Sequence, residues 1–271
     1  MPMSAATNCY VTDCLPVIAR GLSFADDQLE NILSGPVKDL LLDTSGYNEL
    51  NSLLASLATT DFEQDGLTAL LTKHVAPDPW LVGEAIAESF VTAVGNCIFP
   101  WPTSRDLKNP DASPTGADLT GFQKVNDPEN PYRFAFGEVK TSVEEKYPPQ
   151  VMYGRTGLKK QLEDLRDSQL TKQALVRYLG FHATNALWQD KYKSAVKRFL
   201  KSRMTDIAIF GVLVRDVMPD GEDLRCRAEA LAKSCPTDTT IHLYAIYLPL
   251  KSVDILPQKF IALVQPGSSN K

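Results

Sequence analysis

Through residues 25–74 apolar positions recur at spacings of three and four, which predicts short amphipathic helices at FADDQLENIL, PVKDLLLD, YNELNSLLASLA and DGLTALLTKH. HVAPDPW (74–80) interrupts that pattern. Asp78 then stands at an N-cap position with Pro79 at the first helical position, and PWLVGEAIAESFVTAVGN extends a helix to about Asn96. Residues 97–117 are rich in Pro, Ser and Asp and predict a long loop, a type that is often functional. DLTGFQKV, the turn-like NDPENP and YRFAFGEVKTS predict a β-hairpin over 118–142, and YPPQ (147–150) breaks the chain again.

The second half follows a different pattern. Residues 156–179 and 185–203 read as two basic helices, and TDIAIFGVLV (205–214) is a continuous apolar run suited to a buried strand. PDGED (219–223) is a turn, DLRCRAEALAKSC (223–235) a helix and IHLYAIYLPL (241–250) a second buried strand. DILPQKFIALV is ambiguous between helix and strand. The order implies an α/β fold with helices on the faces of a sheet. Residues 1–76 form a helical N-terminal region and 77–271 the main domain.

Composition narrows the functional classes. With 271 residues and 44% hydrophobic content the chain can fill a sizeable core. A net charge of −5 argues against a free-standing, high-affinity nucleic-acid binder. The charge is uneven: residues 1–75 hold 10 acids and 3 bases, whereas residues 151–203 hold 12 bases and 4 acids. A polyanion would meet the second region and avoid the first; two solvated helix faces would give the same count. The five cysteines make no CxxC pair and no histidine accompanies a pair, which disfavours zinc and suggests reduced thiols. There is no signal-peptide pattern and no 18-residue apolar stretch, so the expectation is a cytoplasmic protein with no membrane segment.

The candidate chemistry lies in FGEVKTS. Glu138 and Lys140 are two apart on a predicted strand and so share a face. Asp118, at the start of the hairpin's first strand, would meet Glu138 across the hairpin. Two carboxylates and the Val139 carbonyl make a hard-oxygen site suited to Mg²⁺ or Mn²⁺. Lys140 beside it would orient water and offset charge on a phosphate, so the chemistry expected is phosphodiester hydrolysis. A bland reading exists, a salt bridge on an edge strand. Glu144-Glu145-Lys146 repeats the acid-x-Lys spacing in a polar stretch without a strand.

Asp118 followed by Glu138-Val139-Lys140 resembles the PD-(D/E)xK nucleases, which have the restriction-endonuclease-like fold. Ala117 stands where that signature has Pro, and the loop before Asp118 is long. The resemblance implies a mixed sheet flanked by helices, a Mg²⁺-dependent DNA nuclease, and an assisting glutamate on the preceding helix. Glu84 and Glu88 in GEAIAES share a face there, and Glu84 is the better match. It also implies that the helix starting at Lys159, Lys160 and Gln161 lies beside the DNA backbone. By layout the chain resembles the nuclease subunits of Hachiman antiphage defence systems. That implies sequence-nonspecific DNA degradation and a superfamily 2 helicase partner, HamB.

Arg155, in a glycine-flanked loop, and Lys193, Lys197 and Lys201, a stripe spaced by four, are further DNA-contact candidates. The stripe suits an acidic partner equally well, and a solvated face is the default. His74, His182 and His242 are scattered, which gives no support to a nucleophilic triad, and His242 reads as a packed core residue. GRTG (154–157) lacks the P-loop pattern. Trp80, Trp101 and Trp188 read as core or interface aromatics, and Trp101, between two prolines, is a candidate partner or DNA contact. Rival readings are an inactive nuclease-fold scaffold, a sequence-specific restriction endonuclease, and cleavage of RNA.

Overall fold

A computed structural model of the chain describes residues 6–71, 77–106 and 116–264. The strands are β1 (Thr7–Cys14), β2 (Val17–Ser23), β3 (Cys97–Ile98), β4 (Leu119–Lys124), β5 (Tyr132–Ser142), β6 (Ile207–Arg215) and β7 (Thr240–Tyr247). They form one mixed sheet in the order β1-β2-β7-β6-β5-β4-β3. β5, β6, β7 and β2 run parallel, and the outer pairs β1–β2, β4–β5 and β3–β4 are antiparallel.

The helices are α1 (Asp26–Ser34), α2 (Pro36–Leu42), α3 (Thr44–Leu54), α4 (Asp61–Leu71), α5 (Pro79–Gly95), α6 (Leu158–Asp167), α7 (Gln169–Ala183), α8 (Gln189–Lys201), α9 (Arg225–Ala232) and α10 (Leu256–Val264). One face of the sheet is covered by α1, α2, α5 and α10, through Leu29, Val37, Ile86, Phe90 and Phe260. The other is covered by α6, α7, α8 and α9, through Leu162, Leu179, Phe199 and Leu231. β5 alternates between the two cores: Ala135 and Val139 face the first, Phe134 and Phe136 the second. The α/β sheet with helices on both faces therefore stands as expected.

Several elements differ from the pattern-based reading. Residues 7–23 are not helical: they form the β1–β2 hairpin, and β2 pairs in parallel with β7, Ala19 opposite Leu243. The single helix expected over 156–179 is two, because the Ser168 hydroxyl accepts from Thr171 N–H at 3.2 Å and starts α7. The helix expected from 185 begins at Gln189. Asp78 does occupy the N-cap of α5, but its side chain makes no capping bond. Its carboxylate instead accepts from the Trp80 indole at 3.1 Å. DILPQKFIALV resolves into a short turn and α10. His74 and the middle of the 97–117 loop lie outside the described residues. α3 and α4 contribute no buried residue, and Leu53, Phe62 and Leu70 on them are exposed.

His242 stacks between Phe210 and Tyr244, with ring centroids at 5.3 and 6.2 Å. Burial, aided by the positive charges of Arg133 and Arg20, pushes its pKa down to about 4. An unfolded histidine takes a proton near pH ~6.5, while the folded one stays neutral until about 4, so folding stability falls as pH drops through that window. Replacing His242 by Phe should flatten this acid-side loss in pH-dependent denaturation. An unchanged slope would show that other groups cause it.

Among the described residues no helix is long and apolar enough to cross a membrane.

Candidate active site

The site forms at the start of β4. Its ladder with β5 reaches only Leu119 opposite Gly137. From Glu138 to Ser142, β5 keeps β6 on one side and has no described strand on the other. Asp118 takes the first backbone donor left over: Val139 N–H donates to its Oδ2 at 2.7 Å. A strand residue directs its N–H and C=O to the same edge, so the Val139 carbonyl also faces this opening.

Glu138 is only 4% exposed. Its Oε2 is buried without a hydrogen-bond partner, and Lys140 Nζ lies 3.9 Å from it. The spacing of two thus does bring acid and amine to one face. Glu138 and Asp118 are close enough for each to shift the other's titration. Burial raises the Glu138 pKa, Asp118's charge adds to it, and Lys140 opposes both. Asp118 is also raised by burial, against the Val139 N–H and Lys140, which favour its charge. The pair holds a proton at pH values where free carboxyls have lost theirs.

Glu84 comes from α5, on the Val139 side of the sheet. Burial first, then the negative charge of Asp118, raise its pKa to about 8, with Lys140 pulling the other way. Glu88, one turn further on, is raised to about 7 by burial alone. Of the two helix carboxyls, Glu84 is the one that senses the Asp118–Lys140 cluster.

Gly83 sets the depth of α5. A Cβ at this position would overlap Thr141 Oγ1 on β5, so a larger residue must displace that hydroxyl or push the helix out. Gly83→Ala should cost about 1–3 kcal/mol by overpacking. Chemical denaturation should show much of that loss recovered in the Gly83→Ala/Thr141→Ala double variant. Purely additive losses would contradict this contact.

The structure thus gathers Glu84, Asp118, Glu138, Val139 and Lys140. The other candidates fall in two places. Arg155 and Lys160 are exposed and Lys159 is half-buried at the start of α6. Lys159 pairs with Glu163 at 3.0 Å and Lys160 with Asp164 at 2.7 Å. Gln161 has a buried Oε1 with no partner. Lys193, Lys197 and Lys201 are exposed along α8. Ser194 of that helix binds the backbone of Tyr132, at the start of β5. Tyr132 and Glu138 are six residues apart, ~20 Å along a strand, so the stripe sits at the far end from the carboxylates.

Trp101 stacks on His182 with centroids 4.1 Å apart and donates to Asp106 at 3.1 Å. Arg105 lies 5.1 Å over the Trp101 ring and grips Asp43 with two 2.7 Å bonds. These contacts tie the first part of the long loop to α7 and to the start of α3.

The oxygen donors suit a hard divalent cation. A buried carboxylate, Glu138, lies beside a half-buried one, Asp118, one Glu138 oxygen is unpartnered, and a backbone carbonyl faces the same gap. Among the described residues no group of three or more His, Cys, Asp or Glu side chains is gathered to hold a metal. The protein donors that face this gap are Asp118, Glu138 and the Val139 carbonyl.

No protein-family model matches the chain, and no curated protein matches it.

Proposed function

We propose that the protein is a metal-dependent deoxyribonuclease of the PD-(D/E)xK class. The observation that carries this reading is the Asp118 carboxylate bonded to the backbone of the triplet that presents Glu138 and Lys140. A surface salt bridge would not bury Glu138 or set a second carboxyl against it. Asp118, Glu138 and the Val139 carbonyl would hold Mg²⁺ or Mn²⁺, which when bound supplies an activated water and neutralises phosphate charge.

Lys140 Nζ orients the attacking water and offsets the charge that grows on the phosphate oxygens in the transition state. Glu84, once ionised, accepts the proton that water releases. Water's oxygen bonds to phosphorus, the phosphorus–oxygen bond to the leaving strand breaks, and the departing oxygen takes up a proton. None of these groups reads a base, which favours cleavage without regard to sequence.

The wider reading is an effector of a bacterial antiphage complex, resembling the Hachiman nuclease subunit HamA under control of the superfamily 2 helicase HamB. The acidity supports dependence on a partner: at a net charge of −5 the chain gains little affinity from phosphate neutralisation alone. The test is degradation of plasmid DNA with Mg²⁺, by the protein alone and with the helicase and ATP. A smear that needs the helicase is expected. Discrete bands would indicate a sequence-specific endonuclease. No cleavage under either condition, or cleavage of RNA alone, would overturn the assignment.

A further inference from the structure

α3 and α4 bury no residue. Yet α3 and the turn after it carry Leu50, Leu53 and Leu57 at spacings of three and four, a stripe that a helix ordinarily packs against a neighbour. All three face solvent, and α4 adds Phe62, 87% exposed, and Leu70. A single exposed leucine is ordinary, but five large apolar side chains on two consecutive helices leave an uncovered surface. The same arm is acidic: residues 44–71 hold four acids and no base. Glu63 is spent on the Thr59 and Thr60 N–H groups, whereas Asp61 and Asp65 are exposed and make no ion pair among the described residues.

A complementary surface lies on the same chain. Residues 169–203 hold eight bases and one acid. Leu170, Ala174, Arg177 and Phe181, spaced by four, three and four, form the exposed stripe of α7, and Phe181 is 80% exposed. On α8, Leu200 is exposed between Lys197 and Lys201. Asp190 takes Lys193, and Asp127 and Asp206 take Arg198; Arg177, Lys197 and Lys201 have no acid partner among the described residues.

We propose that the α3–α4 arm of one copy packs on the α7–α8 face of a second copy, and the reverse, giving a closed two-fold dimer. Such a contact covers both apolar stripes, and the charges decide which surface meets which. The two surfaces adjoin on one flank of the molecule. Asp43, the N-cap of α3, is gripped by Arg105, which lies over Trp101, and Trp101 stacks on His182, next to Phe181. Complementary patches side by side make a surface that matches itself across a two-fold axis, so the pair closes and does not extend into a chain of copies. The dimer requires nothing of the nuclease chemistry.

The test is the oligomeric state of the full chain by sedimentation velocity. Wild type should sediment as a dimer at micromolar concentrations and shift towards monomer as salt is raised, because screening weakens the paired charges. Phe62→Ser on the arm and Phe181→Ser on α7 should each weaken the dimer at least about tenfold. Both side chains are exposed, so neither variant loses core packing. Reversing the charges of one surface, Asp61→Lys/Asp65→Lys or Arg177→Glu/Lys197→Glu, should give monomers. An equimolar mixture of these two reversed proteins should form a heterodimer, because each arm then meets a face of opposite sign. A monomer at every concentration and salt would overturn the proposal, including the case in which the helicase captures wild type and not Phe62→Ser. A dimer that resists all these substitutions would overturn it as well. Dimer lost through the arm variants but not through those on α7 and α8, or no heterodimer on mixing, would mean that the arm meets another surface and would overturn the pairing proposed.

Discussion

Replacing Glu138 by Gln should raise the melting temperature at pH 8 and abolish cleavage. Glu138 is buried, faces Asp118 and has an unpartnered oxygen. Ionising this group together with Asp118 and Glu84 sets like charges close together in a poorly solvated site. All three have folded pKa values above those of free carboxyls, and Glu84 reaches about 8. The stability they confer is complete below the unfolded pKa, near ~4.5, and is lost as pH rises through the folded values. Their contribution to the melting temperature in EDTA should therefore fall between about pH 4.5 and pH 8, against the His242 contribution, which runs the other way below about pH 6.5. Glu138→Gln keeps the shape and removes one charge. At pH 8 it should gain on the order of 2 kcal/mol, or roughly 4 °C. Mg²⁺ should raise the melting temperature of wild type and not of the variant. A variant less stable than wild type at pH 8, or equally stabilised by Mg²⁺, would mean that Glu138 is an ordinary structural carboxylate.

Removing Asp223 should do the opposite and cost about 3–5 kcal/mol, the range for breaking a buried pair from one side. Arg215 and Asp223 are both fully buried, with Arg215 Nη1 at 2.6 and 2.7 Å from the carboxylate oxygens. Tyr247 donates to Asp223 Oδ2 at 2.7 Å and meets Tyr10 of β1 at 3.1 Å. Arg215 also donates to the carbonyls of Glu144 and Lys146, just past the end of β5. One buried ion pair thus fastens the N-terminal hairpin, the end of β6 and the chain leaving the candidate site. Asp223→Ala strands the guanidinium without its anion, and denaturant unfolding should show the loss. The double variant Arg215→Met/Asp223→Leu should recover much of it, since no buried charge remains. A loss under 1 kcal/mol in Asp223→Ala would mean that water or the carbonyls satisfy Arg215 unaided.

Much of this was legible in the chain where one physical signal dominated. β6 and β7 are apolar on both faces, so their sequences are continuous apolar runs. The meeting of Asp118 and Glu138 follows from the hairpin, whose ladder ends one residue short of them at Leu119–Gly137. β1 gives no such signal: TNCYVTDC is an edge strand, largely exposed, with nothing apolar enough to mark a buried face. Arg215 escaped for the converse reason. A charge at the end of an apolar run reads as the edge of a strand, and its anion lies in PDGED, a stretch that reads only as a turn. The Gly83–Thr141 contact joins residues far apart in sequence, and no local pattern encodes it. The same holds for the distance of the α8 lysines from the carboxylates, which depends on which end of β5 their helix meets.

The most direct test of the central claim is cleavage of an end-labelled DNA duplex by wild type, Lys140→Ala and Glu138→Ala, in Mg²⁺ and in EDTA, with circular dichroism to confirm folding and the helicase present if it proves necessary. The account predicts cleavage by wild type in Mg²⁺ and not in EDTA, and a loss of at least about a hundredfold in each folded variant. Cleavage that persists in both folded variants, or that survives in EDTA, would contradict it.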